Sequence, residues 1–182
     1  RFNIDPKKIV LSGGSAGGNM STWIAVQDDL ADPDSADPVA RESTRVSGVI
    51  GYGAQTFNDP ERVLALIGGD PDRPHPSFFG FYGIKSMEEA NTERVRKLAH
   101  EASAIDFVTK DDPPFLLIYR VDLTPTPLPK DVAEGVRIHH PRFGTLFQER
   151  YAELGLECTV YHVSSPPPPG AELAFLKKVF GE

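Results

Sequence analysis

Cysteine is almost absent: one residue in 182, so no intrachain disulfide can form. No Cys/His group has the spacing of a zinc site, and nothing calls for a metal or other cofactor. Cys158 lies in an apolar run and reads as a buried, inert thiol. Basic residues are in deficit, with 19 Lys plus Arg against 26 Asp plus Glu and a formal net charge of -7. That balance argues against nucleic acid and anionic membrane surfaces as partners. No apolar run reaches the roughly 20 residues of a membrane-spanning helix. The lead-in Arg1 to Lys8 shows no signal-peptide pattern and carries the turn signal Asp5-Pro6; the compartment stays open. Two further absences bear on chemistry. No His-Gly pair occurs anywhere, and no histidine follows Val163.

What is present is organised around Ile9-Val10-Leu11-Ser12-Gly13-Gly14-Ser15-Ala16-Gly17-Gly18-Asn19-Met20. Three apolar residues, Ile9 to Leu11, predict a short buried strand, and a helical pattern begins straight after the Gly-rich turn. Gly13-Gly14-Ser15-Ala16-Gly17 fits G-x-S-x-G in the strand–turn–helix context of a nucleophile elbow. Neither G-x-G-x-x-G nor the phosphate-loop pattern fits this spacing. A sharp strand-to-helix turn strains the serine backbone, and side chains on the flanking residues would clash there. Ser15 at the tip is the candidate nucleophile. The backbone N–H of Ala16, at the start of the next helix, would face a developing oxyanion.

The remaining chain alternates strands and helices. Met20, Trp23, Ile24, Gln27 and Leu30 follow helical spacing and predict a stripe packed on a sheet. Residues 46–54 read as the second strand, Phe115 to Tyr119 as the third and Glu157 to Val163 as the fourth. Ser86-Met87-Glu88-Glu89 reads as a capping box opening a helix from about Met87 to Ala99. Residues 123–138 read as Pro-rich loop. Phe143, Leu146, Phe147, Tyr151 and Leu154 predict a helix led by Pro141 and ended by Gly155. Leu173, Leu176, Val179 and Phe180 mark a last amphipathic helix over 171–180. The predicted fold is α/β: a mainly parallel sheet of about four strands flanked by helices, in one domain over 1–182. Pro74, Pro76, Phe78, Phe79, Phe81 and Tyr82 concentrate in the irregular stretch 55–85, either an apolar cap or a packed surface loop.

At Arg1-Phe2-Asn3-Ile4-Asp5-Pro6-Lys7-Lys8-Ile9 followed by Gly13-Gly14-Ser15-Ala16-Gly17-Gly18, the chain resembles the α/β-hydrolase esterases and lipases. The nearest groups are the hormone-sensitive-lipase-like and acetyl-xylan-esterase-like carboxylesterases. Gly53-Ala54-Gln55-Thr56-Phe57-Asn58-Asp59-Pro60, Phe107 to Pro114 and His139-His140-Pro141-Arg142-Phe143-Gly144 extend the likeness to an esterase-like branch from environmental bacteria. The resemblance implies a partial α/β-hydrolase fold, N-terminally incomplete. Four earlier strands and an oxyanion loop of His-Gly-Gly type would precede the elbow, and the stretch 55–85 would be the cap. Without those strands, Ile9 to Leu11 would be an exposed edge that invites self-association.

Serine acyl transfer needs a base within hydrogen-bond reach and a group that orients it. The resemblance implies the order Ser, acid, His, with the acid after the third strand, where Asp122 stands. Asp122 could equally be a surface-loop residue. The resemblance places the histidine after the fourth strand, but that loop is Ser164-Ser165-Pro166-Pro167-Pro168-Pro169-Gly170. His139 or His140, on the connection leaving the same sheet edge as Asp122, are the candidate bases, with His162 third. Alternatively one of the pair caps the helix at Pro141. His75 belongs to the cap region and His100 to a helix end. The expected activity is a serine carboxylesterase acting on short acyl or acetyl esters of a small molecule or carbohydrate. The alternative is an inactive hydrolase-like binding module that keeps the elbow without a working base.

Overall fold

The computed structural model describes residues 4–73 and 75–182. Four strands lie parallel and in sequence order: β1 Val10–Gly14, β2 Gly48–Tyr52, β3 Phe115–Ile118 and β4 Cys158–Tyr161. Val49 sits opposite both Leu11 and Phe115, and Phe115 opposite Cys158. Parallel pairing requires a crossover between successive strands. Helix α1 (Ala16–Ala25) lies in the first crossover, and α2 (Pro60–Leu66), α3 (Ser77–Tyr82) and α4 (Glu93–Glu101) lie in the second. Helices α5 (Glu134–Ile138) and α6 (Arg142–Glu153) lie in the third, and α7 (Ala171–Phe180) closes the chain.

The alternation of side chains on β2 and β3 divides the core. Val49, Phe115 and Leu117 point to one face, where Phe57, Phe143, Phe147 and Tyr151 pack on them. Ile50 and Leu116 point to the other, covered by Phe175, Leu176 and Val179 of α7. The apolar run of β3 is thus buried on both sides, as a central parallel strand requires. This is the sheet-and-helix arrangement of a partial α/β-hydrolase fold.

Several elements depart from the sequence reading. Of the two expectations for the first strand, the buried one fails and the exposed edge is found: Ile9 is 37% exposed, and β1 is an edge of the described sheet running on into Gly13 and Gly14. The stripe on α1 faces outward, with Met20 64% and Ile24 41% exposed. Gly18, Ser21, Thr22 and Ala25 form the buried face instead. Small residues let the helix axis approach the strands closely, and no large residue fits between them. The helix foreseen over 87–99 is two pieces, a 3₁₀ turn Met87–Asn91 and then α4. Ser86 makes no capping bond; Thr92 caps α4 by accepting from the Val95 N–H. Part of the foreseen loop 123–138 is helix α5. On α7 the buried residue is Phe175, outside the predicted stripe, and Leu173 is exposed. Pro74 and Arg1-Phe2-Asn3 lie outside the described residues.

The long loop after α1 is tied by one carboxylate. Asp29 accepts from the Ser43 hydroxyl at 2.7 Å and from the N–H groups of Thr44 and Ala31 at 2.8 and 3.1 Å. The Ser43 hydroxyl and these N–H groups hold its pKa down at about 2. A lowered folded pKa stabilises above the ordinary carboxylate value of about 3.9, and that contribution fades as pH falls toward the folded value. A carboxyl-carbon NMR titration of Asp29 should therefore show a midpoint near 2. An ordinary midpoint would mean that the tie is absent in solution.

Candidate active site

Ser15 occupies the turn between β1 and α1 with φ 50° and ψ -118°. It is the one non-glycine residue with positive φ among the described residues, a conformation that costs about 1–3 kcal/mol. The surroundings enforce it. The Ser15 N–H donates to the Tyr52 carbonyl at 2.8 Å, and the Ser15 carbonyl accepts from the Asn19 N–H at 2.9 Å. A Cβ on Gly13 would lie 2.4 Å from the Gly17 carbonyl, and one on Gly18 would lie 3.1 Å from the Ala54 Cβ. A Cβ on Gly17 would meet nothing within 4 Å. The close approach thus needs Gly13 and Gly18; the last glycine of the motif is not required by packing, contrary to expectation.

His139 meets this serine. Its Nε2 is 2.9 Å from Ser15 Oγ, and its Nδ1 is 3.1 Å from the Gly135 carbonyl. A carbonyl only accepts, so Nδ1 carries the hydrogen and Nε2 is left to accept from the serine hydroxyl. The segment bearing His139 is fastened to the loop that follows β2. Gln55 Nε2 donates to the Ile138 carbonyl at 2.5 Å, and Thr56 Oγ1 donates to the Phe143 carbonyl at 2.7 Å. Tyr119, fully enclosed, donates to the Ala54 carbonyl at 2.8 Å from below. Gly53, with φ 57°, supplies the platform under the imidazole: a Cβ there would come 3.0 Å from His139 Cδ2. Gly53 and Gln55 stand within the resembling stretch 53–60, but sequence reasoning linked neither of them, nor the Gly135 carbonyl, to His139. A glycine directly after an apolar strand was the available signal for the first.

The other candidates are placed elsewhere. His140 is fully buried: its Nδ1 accepts from the Arg142 N–H at 3.2 Å, and its Nε2 donates to Thr124 Oγ1 at 3.2 Å. Burial pushes its pKa below the usual histidine value. It supports the first turn of α6 and does not contact Ser15, so of the adjacent pair only His139 does. Asp122 follows β3 but accepts from the Ser164 hydroxyl and from the Leu123 N–H at 2.9 Å. The Ser164 hydroxyl, with backbone N–H groups, holds its carboxyl below the usual range. His162 Nδ1 lies 3.8 Å from Asp122, beyond hydrogen-bond reach. Among the described residues Asp122 bonds neither His139 nor His140. The β3 loop is drawn toward the β4 loop, while the His139 segment is drawn toward the β2 loop. His75 caps the start of α3 through Ser77, and His100 sits 3.2 Å from Asp106. Ala16 opens α1, where first-turn N–H groups have no intrahelical acceptor.

Beside Ser15 is a cavity of about 410 Å³ whose walls include Ala16, Gln55, His75, Phe78 and Arg137. Among the described residues no group of three or more His, Cys, Asp or Glu is placed to hold a metal. No helix there is long and apolar enough to cross a membrane.

The fold has solved counterparts. The acetyl ester-xyloside bifunctional hydrolase of Caldicellulosiruptor lactoaceticus is similar at a TM-score of 0.54 and 20% identity, over 95% of this chain and 52% of that one. The bifunctional GH43-CE of Bacteroides eggerthii is similar at 0.52 and 14% identity, over 92% and 23%. A truncated carbohydrate esterase from gut microbiota is similar at 0.50 and 19% identity, over 98% and 59%. The chain thus spans 52% of the first of these proteins and 59% of the last. At such identities the likeness is one of fold. No curated protein matches the sequence. A family profile described as BD-FAE matches residues 1–121, from the lead-in through the elbow and past β3. The chain belongs to this family, BD-FAE, which is of α/β-hydrolase type.

Proposed function

We propose that the chain acts as a serine-dependent carboxylic ester hydrolase with Ser15 as nucleophile and His139 as base. The observation that carries this is the 2.9 Å contact of His139 Nε2 with a serine on a strained elbow. Ser15 Oγ attacks the ester carbonyl carbon while His139 Nε2 takes its proton. Negative charge collects on the carbonyl oxygen, facing the Ala16 N–H and the positive end of α1. As the carbon–oxygen bond breaks, His139 returns the proton to the departing alcohol. Water, deprotonated by His139, then attacks the acyl-Ser15 ester, releasing the acid and restoring the hydroxyl. The Gly135 carbonyl fixes the histidine tautomer but brings no full negative charge to the imidazolium. The polar wall beside His139, with Gln55, His75 and Arg137, suits a hydroxylated alcohol such as a carbohydrate. Short acyl groups fit the cavity directly. The stretch 55–85, which supplies His75 and Phe78, acts as a cap in this reading.

A second reading is an inactive hydrolase-like binding module, favoured by the engagement of Asp122 with Ser164 and not with His139. Covalent labelling separates the two. A fluorophosphonate should label Ser15, and a short-chain nitrophenyl ester should be turned over; absence of both favours the binding module. Gly53→Ala tests the platform. The new Cβ would press on the imidazole from a backbone angle unfavourable to alanine. A displacement of this kind should lower kcat about 10- to 100-fold. An unchanged kcat would show that His139 is positioned without Gly53.

A further inference from the structure

The outward stripe of α1 borders a second hollow, about 420 Å³, lined by Met20, Trp23, Ile24, Phe81 and Leu98. It adjoins the cavity at Ser15: Asn19, Met20, Asn58 and Phe81 line both, and Asn19 Nδ2 donates to Asn58 Oδ1 at 3.2 Å where the two meet. Phe81 is 60% exposed on α3, opposite Met20 and Ile24 on α1. Trp23 is held as a fixed wall, because its indole N–H donates to the Glu101 carbonyl at 2.7 Å. Ser15 and Ile24 are nine residues apart along one helix, so the track from nucleophile to far end is about 13 Å.

Resting on the hydrolase reading above, the geometry points to this groove as an acyl-chain channel, which makes medium-chain carboxylic esters the preferred substrate class. The direction follows from the chemistry. The leaving oxygen must take its proton from His139, so the alcohol lies toward His139, Gln55 and Arg137. The acyl part lies on the other side of the tetrahedral carbon, over Asn19 and Met20, where the groove begins. A linear alkyl chain matches an apolar track with few polar groups, and each buried methylene adds roughly a fourfold gain in kcat/KM.

The single tryptophan gives a readout independent of turnover. In Ser15→Ala, nitrophenyl octanoate or free octanoate should shift Trp23 emission to the blue and saturate, whereas acetate should not. Met20→Asp and Ile24→Asp alter exposed positions and so spare the fold. They should remove the octanoate shift and lower the octanoate-to-acetate ratio of kcat/KM at least about tenfold. Ethyl and octyl fluorophosphonates keep the two proposals apart. If neither labels Ser15, the hydrolase reading fails; if both label it at equal rates, only the channel fails. No octanoate shift, or the same shift in both Asp variants, would overturn the channel. So would a Trp23 shift that follows protein concentration and molar mass, which would put a second copy in the groove.

Discussion

Ser15→Ala should lower kcat on a short-chain nitrophenyl ester by about 10⁴–10⁶-fold while the protein stays folded. The size of the effect reflects the loss of the covalent route. Without Oγ no acyl-enzyme forms, and water must attack the ester in one step with only the helix terminus and binding to assist. The fold should survive because the turn is set by backbone contacts. Ser15 is held through its N–H to Tyr52 and its carbonyl to Asn19, both of which alanine retains. The closest approaches belong to Gly13 and Gly18, which are unchanged. Circular dichroism of the variant should match the parent, and fluorophosphonate labelling should vanish. Equal turnover by the two proteins would remove serine from the mechanism.

The second large effect separates two adjacent histidines. His139→Ala should lower kcat/KM by about 10³–10⁵-fold, since it removes the proposed base, 2.9 Å from Ser15 Oγ. Its melting temperature should move little, because the ring is only part-buried and makes one further bond, to Gly135. His140→Ala should behave the other way. That ring is fully buried and bonded at both nitrogens, so deleting it leaves a cavity and unpaired groups at Thr124 and Arg142. A loss of about 2–4 kcal/mol is expected, visible as a melting temperature lower by roughly 5–15 °C. His162→Ala should change turnover least among the residues near the sheet edge, since it does not contact Ser15. Loss of turnover in His75→Ala or His100→Ala with a normal His139→Ala rate would overturn the assignment.

The elbow was legible in the sequence because its constraint is local. A strand that turns into a helix within one residue must place that residue at an unusual φ and crowd its neighbours, so glycines cluster around Ser15. The parallel sheet was legible for a similar reason: β3 is covered on both faces and carries apolar residues without alternation. Helix α6 was legible because Phe143, Phe147 and Tyr151 face a single core. The α1 stripe misled because periodicity reports that a helix has two faces, not which one meets the sheet. Here the backbone of α1 lies so close to the strands that only Gly18, Ser21, Thr22 and Ala25 fit between, which frees the large residues for the groove.

By itself the sequence determined the glycine-rich elbow around Ser15, the alternation of strands and helices, and the absence of a histidine from the loop after the fourth strand. Each of these depends on residues near one another in the chain. The partner of Ser15 was decided by tertiary structure alone. His139 stands 124 residues away and reaches the serine because Gln55 and Thr56 bind the β2 loop to Ile138 and Phe143 on either side of it, while Tyr119 holds that loop at Ala54. Nothing in the local run His139-His140-Pro141 distinguishes the two rings. One is turned inward by burial and the α6 backbone, and the other is turned outward over Gly53. That choice comes from packing between segments distant in the chain, which only the folded sheet brings together.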